Sequence, residues 1–405
     1  MLTAPAPSIV APSSSVSVRP RDLQEMRTQL DAFLVRFLEK ERIAAACHPA
    51  FASLYDDLKE FVCRPGKRLR PLLFLLAHRV FAGGEGVDGE WLMVDGTKQT
   101  AAASSRNHQP FTINSSDLLA IGASLEFLHA FILIHDDIID RSETRRSLPT
   151  LHRVIEGRLT AFSDRRRAGK NLALVLGDIL FALAQKCLLA EPAGIDPTLR
   201  LRLGSLLLGC MIETGFGEAA DIVHGTRDVS KVGLGEIETM YLLKTTRYTV
   251  ECPLAMAALL AGAGAAELAG LTRVAQPAGL AFQIQNDLQE FARFELSDAE
   301  VPADILEGKK TLLMRTAFER LAESDQGLLQ LCLSGAAPSE ATVTKARELV
   351  VKSGAVGRLR ERMDVLFAEA EQASASEVFR PAVREGLAAL IRLVRDAAAG
   401  GVEQG

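Results

Sequence analysis

The chain of 405 residues is 48% hydrophobic and 24% charged, a composition typical of a globular protein with one large core or two modest ones. Its formal net charge of −5 gives no electrostatic case for nucleic-acid binding. The longest apolar stretch contains Glu267 and several glycines, so we expect no transmembrane segment. Six scattered cysteines without a C-x-x-C pair indicate reduced thiols, which favours a cytoplasmic protein.

The N-terminal part of the chain combines a polar tail, three helices and a long loop. Residues 1–20 have no basic start and no continuous apolar core, so they are predicted to form a disordered tail rather than a signal peptide. Apolar residues at helical spacing then predict three helices: from Asp22 to Pro49, over 50–62, and from Pro71 to Gly83. Residues 83–116, rich in Gly, Ser and Thr, are predicted to be an inserted surface loop, in which Trp91 is either a packing anchor or part of a lid.

The rest of the chain also has helical spacing. A long helix is predicted from Asp117 to about Asp140. Further helices are predicted over 171–190, 198–220, 234–262, 265–293, 304–323, 340–352, 355–372 and 377–398. No segment shows convincing β alternation. We therefore predict an all-α protein in which residues 21–400 form one single-domain bundle of long helices.

A cluster of acidic residues ends the long apolar helix in the segment LIHDDIID. Asp136 and Asp140 are four residues apart, so their carboxylates lie one turn apart on one face, which His129 shares. Like charges at this spacing are destabilising unless a cation lies between them, and Mg²⁺ prefers carboxylate oxygens. The alternative is an acidic helix end without a metal, which the helix dipole disfavours.

Basic residues follow and precede this cluster at positions where they could bind an anion. Arg145 and Arg146 come directly after the acids, and arginines bind oxyanions in pairs of hydrogen bonds. Lys67 and Arg70 lie three apart before a predicted helix start, where backbone N–H groups are also exposed. Lys244 lies in an otherwise apolar helix and needs an anionic partner. Together these residues indicate a site for a Mg²⁺–diphosphate ligand, although each basic group alone is equally typical of a solvated surface.

Five motifs in chain order resemble those of the trans-isoprenyl diphosphate synthases: G-K-R-x-R-P, D-D-x-x-D-x-x-x-x-R-R, K-T, F-Q-x-x-N-D-x-x-E and G-K-x-T. The resemblance covers roughly residues 25–400. It implies an all-helical bundle around a central cavity, a homodimer, and up to three Mg²⁺ ions. It also implies condensation of isopentenyl diphosphate with an allylic diphosphate (dimethylallyl, geranyl or farnesyl). In that reaction the allylic C–O bond ionises, the isopentenyl double bond adds to the cation, and a proton is lost.

The resemblance assigns a role to each motif residue. It implies that isopentenyl diphosphate is bound by Lys67, Arg70, His129 and Arg146. It implies that the allylic diphosphate is bound through Mg²⁺ by Asp136, Asp137 and Asp140, and directly by Arg145 and Lys309. Residues matching those beside the reacting carbons and the leaving group are Lys244, Thr245 and Gln283. The second metal motif would consist of Asn286, Asp287 and Glu290, whose face could meet Asp136 and Asp140 across the cavity.

Several positions depart from the family pattern. Asn286 and Glu290 stand where the family usually has Asp, and Glu218 stands for a Gln that we expect near Lys244, with which it could pair. The lysine usual before G-K-x-T is missing, and the 83–116 loop is longer than the family requires. These departures bear on the rate and the product rather than on the fold.

Product length and two other functions depend on a few positions. Phe131, five residues before Asp136, resembles the tunnel floor of geranylgeranyl diphosphate synthases, which implies a C20 product, unless this ring belongs only to the core. A class I terpene cyclase of the same fold is an alternative, because Asn286-Asp287 matches the start of its second metal motif; Glu290 and Phe294 do not fit the rest. The second alternative is an inactive partner subunit of a synthase, although the first motif and the arginine pair are intact.

Overall fold

The computed structural model describes residues 20–44, 49–83, 113–145, 148–160, 163–296, 305, 307–334 and 339–399. Three of the features discussed above lie outside the described residues: the tail before residue 20, the loop from 84 to 112 with Trp91, and Arg146. Helices make up nearly all of the described chain, which confirms the all-α prediction.

The helices of the first half are α1 (Pro20–Ala44), α2 (Pro49–Val62), α3 (Leu69–Ala82), α4 (Ser115–Ile139), α5 (Leu151–Arg158), α6 (Arg165–Ala190) and α7 (Pro197–Gly225). A hairpin of two short antiparallel strands, β1 (Thr144–Arg145) and β2 (Leu148–Pro149), follows α4. The second half contains a 3-10 turn (Val229–Lys231), α8 (Leu234–Tyr241), a π-helical segment (Leu242–Glu251), α9 (Cys252–Leu260), α10 (Ala265–Leu296), α11 (Leu312–Arg320), α12 (Glu323–Cys332), α13 (Glu340–Ser353), α14 (Ala355–Ser374) and α15 (Pro381–Ala398).

Helix α4 lies within the core, and α1, α3 and α6 pack against it. Both α4 and α6 have the length and apolar composition of a membrane-spanning helix, but 72% of the apolar window of α4 and 44% of that of α6 are buried inside the protein. A large buried share is typical of core helices in soluble proteins. The expectation that the chain has no transmembrane segment stays a prediction.

The π-helical segment Leu242–Glu251 is packed between α7 and α10. Two glycines permit this close approach. A Cβ atom added at Gly217 on α7 would lie 2.2 Å from the backbone nitrogen of Lys244, and one at Gly279 on α10 would lie 2.4 Å from a methyl carbon of Thr246. Contacts this short exclude any side chain, so both glycines are required for the packing that positions Lys244.

Candidate active site

Lys244 binds acidic side chains from two other helices. Its Nζ atom lies 2.6 Å from Asp221 Oδ2 and 2.9 Å from Glu218 Oε2 on α7, and 3.5 Å from Asp136 Oδ1 on α4. Burial opposes the charge of Lys244, but Asp221, Asp136 and Glu218 outweigh this effect and raise its pKa. The predicted pairing of Glu218 with Lys244 is confirmed. The sequence assigned no role to Asp221, although it ends the same GEAAD segment.

Arg145, on β1, binds the first two acids of the aspartate-rich motif. Its Nη2 atom donates to Asp136 Oδ2 at 3.0 Å and its Nε atom donates to Asp137 Oδ1 at 2.6 Å. Burial disfavours the charged form of Asp136, but Lys244, Lys309 and Arg145 outweigh this and lower its pKa. Asp137 is almost fully buried, and burial raises its pKa to about 6 despite Arg145. The nearby cations therefore favour the ionised form of Asp136, whereas burial favours the protonated form of Asp137.

Lys309, which lies 169 residues after Asp140 in the sequence, contacts the last acid of the same motif. Its Nζ atom lies 2.6 Å from Asp140 Oδ2 and 3.1 Å from Glu307 Oε2. Burial raises the pKa of Glu307 to about 8, and the nearby Asp140 adds to this shift. Glu307 is a site residue that sequence reasoning missed. The next residue, Lys310, is buried and its ammonium donates to three backbone carbonyls, of Gly225, Gly308 and Leu333.

The second acidic motif lies on α10, and its central acid is bound by protein side chains. The hydroxyl of Tyr241 donates to Asp287 Oδ2, and Gln283 Nε2 donates to Asp287 Oδ1 at 2.8 Å. Burial raises the pKa of Asp287 to about 7, while these two hydrogen bonds oppose the shift. Tyr241 also accepts a hydrogen bond from the backbone of Leu312 at 3.0 Å. Asn286 and Glu290, on either side, are half-buried.

The donor atoms of the first motif fit a hard divalent cation. Asp136 and Asp140 lie one turn apart at the end of α4, and the buried Oδ2 atom of Asp137 has no hydrogen-bond partner in the described chain. Carboxylate oxygens are the ligands that Mg²⁺ prefers. Within the described residues, however, no group of three or more acidic, histidine or cysteine side chains is arranged to hold a metal ion. The opposed arrangement of the two motifs across a cavity stays a prediction.

Two of the residues expected to bind isopentenyl diphosphate meet at Tyr248. Arg70 Nη2 donates to Thr249 Oγ1 at 2.8 Å, and the guanidinium carbon lies 4.3 Å from the centroid of the Tyr248 ring. The ring of His129 lies 6.1 Å from the same ring. The Nε atom of Arg70 is buried without a hydrogen-bond partner in the described chain. Lys67 lies in the loop before α3, and its Nζ atom donates to the Ala397 carbonyl at the C-terminal end of α15, at 2.8 Å.

Phe131 belongs to an aromatic cluster between α4 and α6. Its ring centroid lies 4.6 Å from that of His135 and 5.3 Å from that of Phe181. This aromatic cluster places an apolar wall one turn before Asp136, and the role of Phe131 as a tunnel floor stays a prediction.

Thr245 is half-buried beside Lys244 in the π-helical segment.

Comparisons with known proteins show which proteins the chain is similar to. A family model described as polyprenyl synthetase matches residues 52–350. The chain is 29% identical over 299 residues to a geranylfarnesyl diphosphate synthase of Aeropyrum pernix, covering 73% of this chain and 79% of the relative. It is 25% identical over 301 residues to a geranylgeranyl diphosphate synthase of Sulfolobus acidocaldarius, covering 74% and 77%. Its fold matches the crystal structure of a geranylgeranyl pyrophosphate synthase from Corynebacterium glutamicum, complexed with isoprenyl diphosphate and magnesium, with a TM-score of 0.79 at 24% identity, covering 93% of this chain and 99% of the other.

Proposed function

The chain belongs to the polyprenyl synthetase family and is a prenyltransferase, and on that premise we propose that it condenses isopentenyl diphosphate with an allylic diphosphate to give geranylgeranyl diphosphate. The observation that carries this proposal is the convergence of three cations, Arg145, Lys244 and Lys309, on the acids that end α4. These cations come from three separate parts of the chain, and a diphosphate is the ligand that uses both the cations and the acids.

The allylic diphosphate is proposed to bind at this end of α4. Members of the family bind diphosphates with a divalent metal, and here we assign Mg²⁺, up to three ions, to Asp136, Asp137 and Asp140 and to the second motif, Asn286, Asp287 and Glu290. When bound, Mg²⁺ would neutralise charge on the diphosphate oxygens. Arg145, Lys244 and Lys309 bind the same oxygens and stabilise the charge that develops as the C–O bond breaks. Thr245 and Gln283 complete the polar wall beside the leaving group.

Isopentenyl diphosphate is proposed to bind at Lys67, Arg70 and His129, with Arg146 as a fourth contact. The buried, unpaired Nε atom of Arg70 supports this assignment, because such a donor is costly without an acceptor. The apolar residues before Asp136, including Phe131, exclude water from the allylic cation. Two bound diphosphates fix the reacting carbons relative to each other, which contributes to the rate without any further chemistry.

We further propose that the enzyme is a homodimer that acts in the cytoplasm. Apolar side chains on α6 and α7 are exposed in the single chain: Leu174, Val175, Leu201, Leu208, Ile212, Phe216 and Val223. A second copy of the chain would cover this face. The described cysteines are all free thiols, which supports a reducing compartment.

The decisive experiment is incubation with Mg²⁺, isopentenyl diphosphate and each allylic diphosphate in turn, followed by analysis of the prenyl products. Chain elongation that ends at C20 is the expected result. A C25 product would instead agree with the relative from Aeropyrum pernix. A cyclised hydrocarbon or no product would indicate the terpene cyclase or the inactive subunit, neither of which the comparisons support.

A further inference from the structure

We propose that Arg68 is a positioning residue for the isopentenyl diphosphate site. It holds the chain between Lys67 and Arg70 in an unusual backbone conformation and ties it to the helix that carries His129. The inference rests on the proposed function, because that function assigns the substrate of these three residues.

The backbone of Arg68 is left-handed, with φ 48° and ψ 33°. Residues other than glycine rarely adopt this backbone conformation, and it persists only where the surrounding structure enforces it. The carbonyl of Arg68 accepts the hydrogen bond of Leu72 N at 3.1 Å, so α3 begins at this turn. As a result, Lys67 points to the end of α15, while Arg70 in the first turn of α3 contacts Thr249.

The side chain of Arg68 stabilises this turn through three hydrogen bonds. It is 5% exposed, and its Nη1 atom donates to Glu126 Oε1 on α4 at 2.6 Å. Its Nε atom donates to Asp31 Oδ1 on α1 at 2.9 Å, and its Nη2 atom donates to the Arg64 carbonyl at 3.1 Å. A planar guanidinium can bind three acceptors in different directions, which a lysine cannot do in the same way. Each side-chain nitrogen of Arg68 thus donates a hydrogen bond to another residue of the protein. Arg68 therefore affects the substrate site by positioning its neighbours.

The partner on α4 connects Arg68 to the substrate site. Glu126 precedes His129 by three residues, so both side chains lie on the same face of α4. The Arg68–Glu126 ion pair therefore sets the position of the loop that carries Lys67 and Arg70 relative to His129. Loss of this pair would misplace cations at one diphosphate and leave the cluster around Asp136 intact.

The test compares the two substrates in steady-state kinetics of the full chain. Arg68→Ala and Glu126→Gln are expected to raise KM for isopentenyl diphosphate about tenfold or more, with KM for the allylic diphosphate changed less than about twofold. Arg68→Lys is expected to recover part of the loss, because it keeps the charge but not the three contacts. Arg68→Gly adopts the left-handed turn without strain, and its KM for isopentenyl diphosphate is also expected to rise, since the ion pair is absent.

Glu41→Gln is the matched control, because Glu41 on α1 is also a buried glutamate in an ion pair, here with the exposed Lys186 on α6 at 2.7 Å. It is expected to change stability without a selective change in either KM. If the Arg68 and Glu126 variants lower stability like this control and leave KM for isopentenyl diphosphate within about twofold of wild type, Arg68 is only structural. A parallel rise of both KM values would also overturn the proposal. If Arg68→Ala does not fold, the isosteric Glu126→Gln decides alone. Wild-type protein that fails to elongate any allylic diphosphate would instead refute the proposed function.

Discussion

Lys244 is the residue on which the charge balance of the site depends. One ammonium group lies within 3.5 Å of three carboxylates, those of Glu218, Asp221 and Asp136. Acids outnumber bases at this point, where an anionic substrate is proposed to bind. Arg145 offsets part of the excess because it also binds Asp136. Glu218, one of the positions that depart from the motif pattern, therefore adds negative charge to a site that is proposed to bind a diphosphate.

The first prediction follows from this charge. Glu218→Gln is expected to lower KM for the allylic diphosphate about threefold at neutral and alkaline pH, because the variant lacks one repelling carboxylate. Burial raises the pKa of Glu218. As the pH falls through this raised pKa, the wild-type carboxyl becomes neutral and the difference between the two proteins disappears. The measurement is KM against pH for both proteins, and identical curves would rule out a role for the Glu218 charge.

The second metal motif carries the next prediction. Asn286 offers an amide oxygen, which binds Mg²⁺ less tightly than a carboxylate does. Asn286→Asp is expected to lower the Mg²⁺ concentration for half-maximal rate and to keep the product. Asp287→Ala is expected to impair turnover severely, because Tyr241 and Gln283 lose their acceptor. The exposed acid Asp364 on α14 provides the control Asp364→Ala. Wild-type turnover of both Asp287→Ala and Glu290→Ala across a magnesium titration would show that this stretch binds no catalytic metal.

Product length gives a third prediction at this scale. Phe131 packs against Phe181 one turn before the motif, where a growing chain would pass. Phe131→Ala is expected to lengthen the product beyond C20, because a smaller side chain opens the floor. The readout is chromatography of the prenyl chains, with Phe318→Ala on α11 as a control for loss of an aromatic ring elsewhere. An active Phe131→Ala enzyme with an unchanged product profile would assign this ring to the core alone.

Motif residues could be placed from the sequence, but several of their partners could not. The spacing of Asp136 and Asp140 indicates one helix face, and the structure brings Lys309 to Asp140 across 169 residues of chain. The sequence did not predict that Glu307 and Tyr241 belong to the site. Their roles arise only when loop 307–311 approaches α4 and the last residue of α8 approaches α10, and no local sequence pattern indicates either contact.

At the scale of elements, the sequence predicts one continuous helix over 234–262, and the π-helical segment Leu242–Glu251 lies within it. Residues 234–260 are helical without a break, which confirms a helix here, but apolar spacing does not predict the wider π-helical turns. Such turns are common at functional sites, and here they carry Lys244 and Thr245. They are held by close packing against α7, which is a tertiary cause that apolar periodicity does not report.

Packing of this segment leads to the fourth prediction. A Cβ atom at Gly217 would lie 2.2 Å from Lys244 N and 2.6 Å from Lys244 Cα, so Gly217→Ala must displace the backbone that positions the lysine. A fall of about a hundredfold in kcat and a lower Tm are expected. The control is Gly327→Ala in α12, where an added Cβ meets nothing within 4 Å and better helix propensity would raise stability by about 1 kcal/mol. Wild-type kcat in Gly217→Ala would show that the segment tolerates displacement.

Long helices were predictable and short elements were not. Segments such as α6 and α15 show a sustained helical period in their apolar residues, and both were found. The prediction of one helix over 304–323 was wrong in its first half, because residues 307–311 are not helical and α11 runs only from Leu312 to Arg320. The short helix α5 and the two-residue strands of the hairpin were also missed, since each is too short to display a period. Helix α3 begins at Leu69, two residues before the predicted start at Pro71, because Arg68 is its N-cap residue.

For the whole molecule, the exposed apolar face of α6 and α7 is the feature that a single chain leaves unexplained. On α7 the exposed residues recur at helical spacing: Leu201, Leu208, Ile212, Phe216 and Val223. Phe216 is 67% exposed and Ile212 is 63% exposed, values unusual for neighbours on one stripe of a monomer. Two copies related by a twofold axis would bury the same stripe on each other.

The last prediction tests this face directly. Wild-type protein is expected to sediment as a dimer of the 43.7 kDa chain, and the double variant Ile212→Glu/Phe216→Glu as a monomer, because two buried charges per subunit make the contact unfavourable. Leu331→Glu is the matched control: Leu331 on α12 is 56% exposed and lies outside the stripe, so this variant should remain a dimer. Analytical ultracentrifugation measures all three. A monomeric wild type would remove the homodimer, whereas a dimeric double variant would place the interface on another face. Because α7 also carries Glu218 and Asp221, a monomeric variant should lose activity as well, through loss of support for the helix that orients Lys244.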